Sequence, residues 1–130
     1  MPLLEPGALA PFEVESVSAE RMRTLAALLR DPTPIHFAPE VVQQLGMGEK
    51  VINQGPANVG YVINALLEAA PDARIEHLHV RFLANVFAED RVVAGGTVER
   101  ADDDSAELAV WLDVDGGARA VEGRATLRRR

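Results

Sequence analysis

The segment 56–70 restricts the possible folds more than any other part of the chain. Its apolar residues are Val59, Tyr61, Val62, Ile63, Ala65, Leu66 and Leu67. At helical spacing they put hydrophobic surface on nearly every side, which is typical of a buried helix rather than a surface helix. Other parts of the chain must therefore fold around this helix.

The residues that follow predict four consecutive strands, over about 74–87, 91–101, 106–114 and 118–127. In the first of them, Leu78 and Val80 alternate with polar residues, as in a strand that buries one face. Turns rich in Asp and Gly join the later strands, which favours antiparallel connections. A buried helix followed by such strands predicts an α+β domain, in which an antiparallel sheet is wrapped around a long central helix.

Two further helices are predicted before the central one. The first covers 19–29 with Ser18 as its N-cap, and a shorter one covers about 39–45. Pro32 and Pro34 end the first helix, because proline lacks the backbone N–H and restrains the residue before it. The loop between the two helices is therefore predicted to be stiff.

This loop carries a carboxylate, Asp31, and an imidazole, His36, five residues apart. On a stiff loop the two groups can converge with little loss of entropy. A carboxylate and an imidazole are frequent partners in general acid and base catalysis. The alternative is that Asp31 caps a turn and His36 packs at a helix start.

Length and charge limit the functions that we expect. A chain of 130 residues has room for one domain, 1–130, with one core. The formal net charge of -7 opposes binding to phosphate backbones, so we expect no nucleic acid partner. The lack of cysteine favours a reducing cytoplasm, and we expect neither a signal peptide nor a membrane span.

Three motifs, in matching order and spacing, resemble those of the MaoC-like dehydratase and (R)-specific enoyl-CoA hydratase family. The sequence Asp-Pro-Thr-Pro-Ile-His at 31–36 resembles the family motif Ser-Gly-Asp-x-Asn-Pro-x-His. Ile-Asn-Gln-Gly-Pro at 52–56 stands where the family has Ile-Ala-His-Gly-Met, and 81–90 resembles Arg-Phe-x-x-Pro-Val-x-x-Gly-Asp. The matching residues are Asp31, Pro34, His36, Ile52, Gly55, Arg81, Phe82, Val86 and Asp90.

The resemblance implies a hot-dog fold and a lyase. The implied enzyme is an (R)-specific enoyl-CoA hydratase or 3-hydroxyacyl thioester dehydratase, acting on a thioester of coenzyme A or of a carrier protein. Asp31 and His36 would hold a water molecule between them and serve as base and acid. No cofactor is implied, since coenzyme A enters only as part of the substrate.

Hydration of an enoyl thioester also develops negative charge on the thioester oxygen, which calls for a hydrogen-bond donor. The amide of Gly55 at the start of the central helix is suited to this role, and the helix dipole reinforces it. Pro56 is compatible with the first helical position, where its missing N–H would be unpaired anyway. The alternative is that Gly55 only allows the chain to enter the helix.

The chain departs from the family motifs at four places. Leu29-Arg30 replace Ser-Gly, Thr33 replaces Asn, Asn53-Gln54 replace Ala-His, and Pro56 replaces Met. Thr33, Asn53 and Gln54 are candidate substrate-binding residues, because they offer a hydroxyl and two uncharged amides. For Asn53 and Gln54 the alternative is hydrogen bonding to loop backbone.

Other functions stay open. Hot-dog thioesterases usually have a catalytic carboxylate on or near the central helix, whereas this helix contains Asn58 and Asn64 and has Glu68 only at its far end. A further alternative is a subunit of a heteromeric MaoC-like hydratase that acts on a bulky acyl-CoA. A homodimer or a heteromer with another hot-dog chain is expected, because the sheet edges need a cover.

His77 and His79 lie two residues apart on a predicted strand and should share one face. No third metal ligand is evident beside them, so no metal site is predicted. A solvent-facing or interface role is favoured.

Overall fold

The computed structural model describes residues 1–130 and contains a six-stranded sheet and three α-helices. In chain order the elements are β1 (Gly7–Ala8), β2 (Phe12–Val14), α1 (Ala19–Leu29), a 3-10 turn (Pro34–His36), α2 (Pro39–Gln44), α3 (Gly55–Ala69), β3 (Ala73–Phe82), β4 (Val92–Ala101), β5 (Ser105–Val114) and β6 (Arg119–Arg129). None of the helices combines the length and the apolar composition that crossing a lipid bilayer requires.

The strands form one antiparallel sheet in the order β1-β4-β5-β6-β3, and β2 also pairs with β4. Short turns make β4, β5 and β6 neighbours, and β3 joins the sheet by pairing with β6. Buried residues alternate along β5, where Leu108, Val110 and Leu112 face the core. Helix α3 packs against β2, β3, β4 and β5. The predicted α+β architecture is therefore confirmed.

The structure corrects the prediction that α3 is enclosed on nearly every side. Val62 and Leu66 are fully buried, whereas Leu67 is 39% exposed and Val59 and Ile63 are only half-buried. Val59, Ile63 and Leu67 follow each other at intervals of four residues and therefore form one stripe along the helix. A single curled sheet covers only one side of a helix. The stripe lies on the side of α3 that the sheet leaves uncovered.

The predicted first strand extends to residue 87, but β3 ends at Phe82. The chain leaves the sheet because Val86 accepts a hydrogen bond from the Asn53 amide, and Phe87 pairs with Ile52 in an isolated bridge. The amides of Leu83 and Ala84 still donate to the Ala120 carbonyl of β6, whereas residues 86–88 bond to the residues that precede α3. The detour fixes the start of α3 against the end of β3.

One row of residues across the sheet contains two glycines. Gly96, Val110, Gly123 and Val80 occupy opposite positions on β4, β5, β6 and β3. A Cβ atom on Gly123 would overlap the carbonyl oxygen of His79 and would lie 2.8 Å from the Cα of Val80. No side chain larger than hydrogen therefore fits there unless β3 moves away from β6.

Candidate active site

The loop between α1 and α2 brings Asp31 and His36 together. Arg30 ends α1 in the left-handed conformation, with φ at 52°, and the Asp31 amide donates a hydrogen bond to the carbonyl of Ala26. The chain then turns through two prolines, and His36 is the last residue of the 3-10 turn. Oδ2 of Asp31 and Nε2 of His36 are 3.5 Å apart.

A hydrogen bond to the backbone fixes the tautomer of His36. Its Nδ1 lies 2.7 Å from the carbonyl oxygen of Ile52, and its side chain is 11% exposed. A carbonyl oxygen only accepts hydrogen bonds, so Nδ1 must carry the hydrogen in this contact. In the neutral imidazole, Nε2 therefore presents its lone pair toward Asp31.

Thr33 holds the Asp31 carboxylate in place. Its hydroxyl donates to Oδ1 of Asp31 at 2.6 Å, and its amide donates to the same oxygen at 3.1 Å. The hydroxyl bond is the largest cause that lowers the pKa of Asp31, followed by the amide bond, and the charge of His36 also lowers it. Asp31 is thus ionised at neutral pH, and its other oxygen, Oδ2, stays available toward His36.

When His36 is in its neutral form, two hydrogen-bond acceptors face each other in this site. An ionised carboxylate and the lone pair of a neutral imidazole cannot bond to each other directly, so a molecule with two hydrogens must join them. A water molecule can donate one hydrogen to Oδ2 of Asp31 and the other to Nε2 of His36. The oxygen of that water then directs its lone pair outward, where it can act as a nucleophile.

Gly55 is the first residue of α3, and its amide has no hydrogen-bond partner within the chain. It belongs to the N–H groups that every helix leaves unpaired at its start, at the positive end of the dipole. The ring of Phe82 packs closely beside it, since a Cβ on Gly55 would lie 3.2 Å from that ring. The Gly55 amide can therefore donate to an oxygen of a bound ligand.

Asn53 and Gln54 are buried and line a groove of about 400 Å³ between α1 and α3. Nδ2 of Asn53 donates to Oδ1 of Asn58 at 2.8 Å, with the Tyr61 hydroxyl 3.5 Å away. Nε2 of Gln54 donates to the Met22 carbonyl at 2.8 Å, and its Oε1 is buried without a partner. Both amides thus make internal bonds, and Oε1 of Gln54 remains as an acceptor for a ligand donor.

The Ile52 carbonyl is a part of the site that sequence reasoning missed. Its role depends on backbone position and not on the identity of the side chain, and it is 16 residues away from His36 in the chain. The only signal was that Ile52 matches the second family motif. Thr33, predicted to bind substrate, lies against Asp31, and its contact with substrate stays a prediction.

His77 and His79 lie on the outer face of the sheet, where they line a groove with Glu107 and Arg124. The shared face expected from their spacing is confirmed. The structure brings together no group of three or more His, Cys, Asp and Glu residues able to hold a metal ion. These histidines lie apart from the Asp31 and His36 pair.

We expect Thr33→Val to raise the pKa of Asp31 toward its ordinary value, because the variant loses the hydroxyl bond that favours the ionised form. Carbon NMR of the carboxyl group would follow this titration. Asp102 is the internal control, since its pKa is lowered by the amides of Asp104 and Ser105, which the substitution does not touch. An Asp31 titration unchanged by the substitution would contradict the assignment.

Comparison with known proteins relates this arrangement to a family. The family model described as MaoC like domain matches residues 10–111. No curated protein matches the chain in sequence. Among solved structures, the (R)-hydratase from A. caviae involved in PHA biosynthesis is 27% identical to the chain, with a TM-score of 0.87 and coverage of 98% of both chains.

Two further solved structures are less similar in sequence. R-hydratase PhaJ1 from Pseudomonas aeruginosa, unliganded, is 19% identical with a TM-score of 0.85, covering 98% of this chain and 84% of that one. A chain of the ChsH1-ChsH2 complex from Mycobacterium tuberculosis is 19% identical with a TM-score of 0.83, covering 97% and 98%. These two show the fold alone. Together with the first structure, they confirm the predicted hot-dog fold.

Proposed function

The chain belongs to the MaoC-like domain family, and we propose that it is a hydro-lyase acting on an acyl thioester. In the proposed reaction, water adds to a trans-2-enoyl thioester to give the (R)-3-hydroxyacyl thioester, or leaves it in the reverse direction. The observation that carries the proposal is the 3.5 Å contact between Oδ2 of Asp31 and Nε2 of His36, which a water molecule can bridge when the imidazole is neutral.

In the proposed mechanism, Asp31 and His36 together accept one proton and later release it. The water oxygen forms a bond to the β carbon while the water proton passes to Asp31 or His36. The electron pair of the double bond moves toward the thioester oxygen, where the Gly55 amide stabilises the developing charge. The stored proton is then delivered to the α carbon, so that both residues return to their starting state. Nδ1 of His36 stays bonded to the Ile52 carbonyl throughout.

The proposed substrates are thioesters of coenzyme A or of a carrier protein, and no further cofactor takes part. The (R)-specific stereochemistry is supported by the 27% identical (R)-hydratase, the only one of the three compared structures above 25% identity. Asn53, Gln54 and Thr33 are the proposed substrate-binding residues. Gln54 contributes the buried Oε1 that lacks an internal donor.

A thioesterase is the competing proposal, and the position of the acidic residues disfavours it. Helix α3 has no acidic residue in its first turn, and the polar side chain buried on it, Asn58, bonds to Asn53. The carboxylate of the candidate site, Asp31, lies on the loop between α1 and α2 and not on α3. Asp31 lies beside an imidazole, and the two groups together can accept and deliver the proton that addition of water to a double bond transfers.

We also propose that the chain works as a homodimer or as part of a heteromer. Strand β3 is an edge of the sheet, and Phe82 and Leu83 at its end are 57% and 47% exposed. The half-exposed stripe on α3 adds further apolar surface. An unpaired edge beside exposed apolar side chains is typical of a surface that another chain covers. The ChsH1-ChsH2 complex has a chain of this fold in a heteromer.

The test is an assay of enoyl thioesters of several chain lengths that records two signals at once. Loss of the enoyl absorbance without release of free thiol is expected for a hydratase. Release of thiol would instead identify a thioesterase and overturn the proposal. Native mass spectrometry of the same sample gives the oligomeric state, and cell fractionation tests the cytoplasmic location that we propose from the lack of cysteine.

A further inference from the structure

Most of the basic residues of this acidic chain have a partner within the fold. Of its 13 Lys and Arg residues, seven arginines and the one lysine form ion pairs with carboxylates. Arg129 and Arg130 donate to backbone carbonyls. The three without a side-chain partner are Arg21, Arg23 and Arg30, and all belong to α1 or its C-cap. The guanidinium groups without any hydrogen-bond partner are thus concentrated on one element.

Two of these arginines share one open groove with Asp31. Arg23, Ala26, Ala27 and Arg30 follow each other at i, i+3, i+4 and i+7, so they lie on one face of the helix. They line a groove of about 510 Å³ together with Asp31 and two further loop residues. Seven residues separate Arg23 from Arg30, so the Cα atoms of the two arginines are about 10 Å apart along the helix axis. The groove therefore leads from the reacting carboxylate along a basic surface.

The backbone of Arg30 is in the left-handed conformation, which matters for the choice of a test variant. With φ at 52°, Arg30 adopts the left-handed conformation that glycine adopts without strain and other residues adopt at a cost. It is the helix C-cap, a position where glycine is the usual residue. Glycine at this position would therefore remove the guanidinium without disturbing the end of α1.

We propose that Arg23 and Arg30 bind the phosphate groups of coenzyme A when the thioester lies at Asp31 and His36. This inference rests on the proposed function and specifies its substrate as a coenzyme A thioester. A guanidinium binds phosphate through charge-assisted, paired hydrogen bonds, so it can bind an anion on a protein whose net charge of -7 repels one. Coenzyme A carries a diphosphate and a 3′-phosphate, which match two separated cations better than the single phosphodiester of a carrier-bound arm.

The experiment compares crotonyl-CoA with crotonyl-pantetheine, which has the same reacting group and no phosphate. Arg23→Gln and Arg30→Gly should each raise KM for crotonyl-CoA about tenfold with little change in kcat, because a charge-assisted bond made equally in ground and transition states is lost. KM for crotonyl-pantetheine should stay unchanged. Arg100→Gln is the charge-matched control, since Arg100 is paired with Glu107 on the far side of the protein and should alter neither value.

Two further measurements separate binding from folding and from catalysis. The melting temperature of Arg30→Gly should be no lower than that of the wild type, because glycine adopts the left-handed backbone without strain. A loss of affinity in this variant would therefore not result from misfolding. Calorimetric titration with coenzyme A itself should show weaker binding to both variants. This titration tests coenzyme A binding in the groove even if no thioester is turned over. A lack of turnover would count against the proposed function alone.

Equal effects of the arginine substitutions on both thioesters would overturn the phosphate assignment, because the arginines would then act on the loop. A variant with unaltered affinity for coenzyme A would overturn it as well. So would a larger loss with a crotonyl-carrier protein than with crotonyl-CoA, since the arginines would then recognise the carrier.

Discussion

Asp31→Asn is expected to lower kcat for hydration of crotonyl-CoA about 10³-fold, the usual contribution of a positioned proton acceptor. Asparagine has the same shape and can still accept the Thr33 hydroxyl bond through its remaining oxygen, so the loop should keep its conformation. It lacks the charge and the basic oxygen that face Nε2 of His36. The measurement is the decay of the enoyl absorbance under saturating substrate.

Asp102→Asn is a matched control for this variant. The carboxylate of Asp102 also has a lowered pKa, caused first by the backbone amides of Asp104 and Ser105, but it lies in the turn between β4 and β5. Activity of this control should stay close to that of the wild type. If Asp31→Asn retained more than a third of wild-type kcat, Asp31 would not be the proton acceptor.

His36→Asn should lower kcat to a similar extent. The asparagine amide can replace Nδ1 as donor to the Ile52 carbonyl, while nothing replaces Nε2. Since Asp31 and His36 hold one water molecule and handle one proton, the double variant should be about as slow as either single one. Losses that multiply in the double variant would show that the two residues act in separate steps.

Gly123→Ala should destabilise the protein by about 3 kcal/mol or more, with an effect at the upper end of those caused by overpacking. The added Cβ would overlap the His79 carbonyl, which is backbone and cannot rotate away as a side chain can. The contact between β3 and β6 would have to open at Val80, two pairs before the end of its register. Denaturant unfolding followed by circular dichroism measures the change.

Gly60→Ala provides the control with the same substitution. Gly60 lies inside α3, and a Cβ there would meet no atom within 4 Å. Because alanine is the better helix former, this variant should gain about 0.5–1 kcal/mol. Equal stability of the Gly123→Ala and Gly60→Ala proteins would show that the sheet can relax around the added methyl group.

Local sequence signals predicted those parts of the fold that depend on neighbouring residues. Ser18 caps α1 by accepting from the Arg21 amide, and the helix covers the predicted range. Alternation of apolar residues located β4, β5 and β6 to within about two residues. The predicted end of β3 was wrong, because residues 86–87 pair with the segment before α3. This pairing joins residues distant in sequence, and no local pattern indicates it.

The sequence by itself determined which residues are available for chemistry and that a proline-containing loop carries both Asp31 and His36. Only the tertiary structure decided the direction of the two side chains and the tautomer of His36. The Ile52 carbonyl, distant in sequence, places the hydrogen on Nδ1 of His36 and turns Nε2 toward the carboxylate. The physical reason is that a hydrogen bond depends on where backbone atoms meet in space, whereas residue types constrain only the chain within a few residues of themselves.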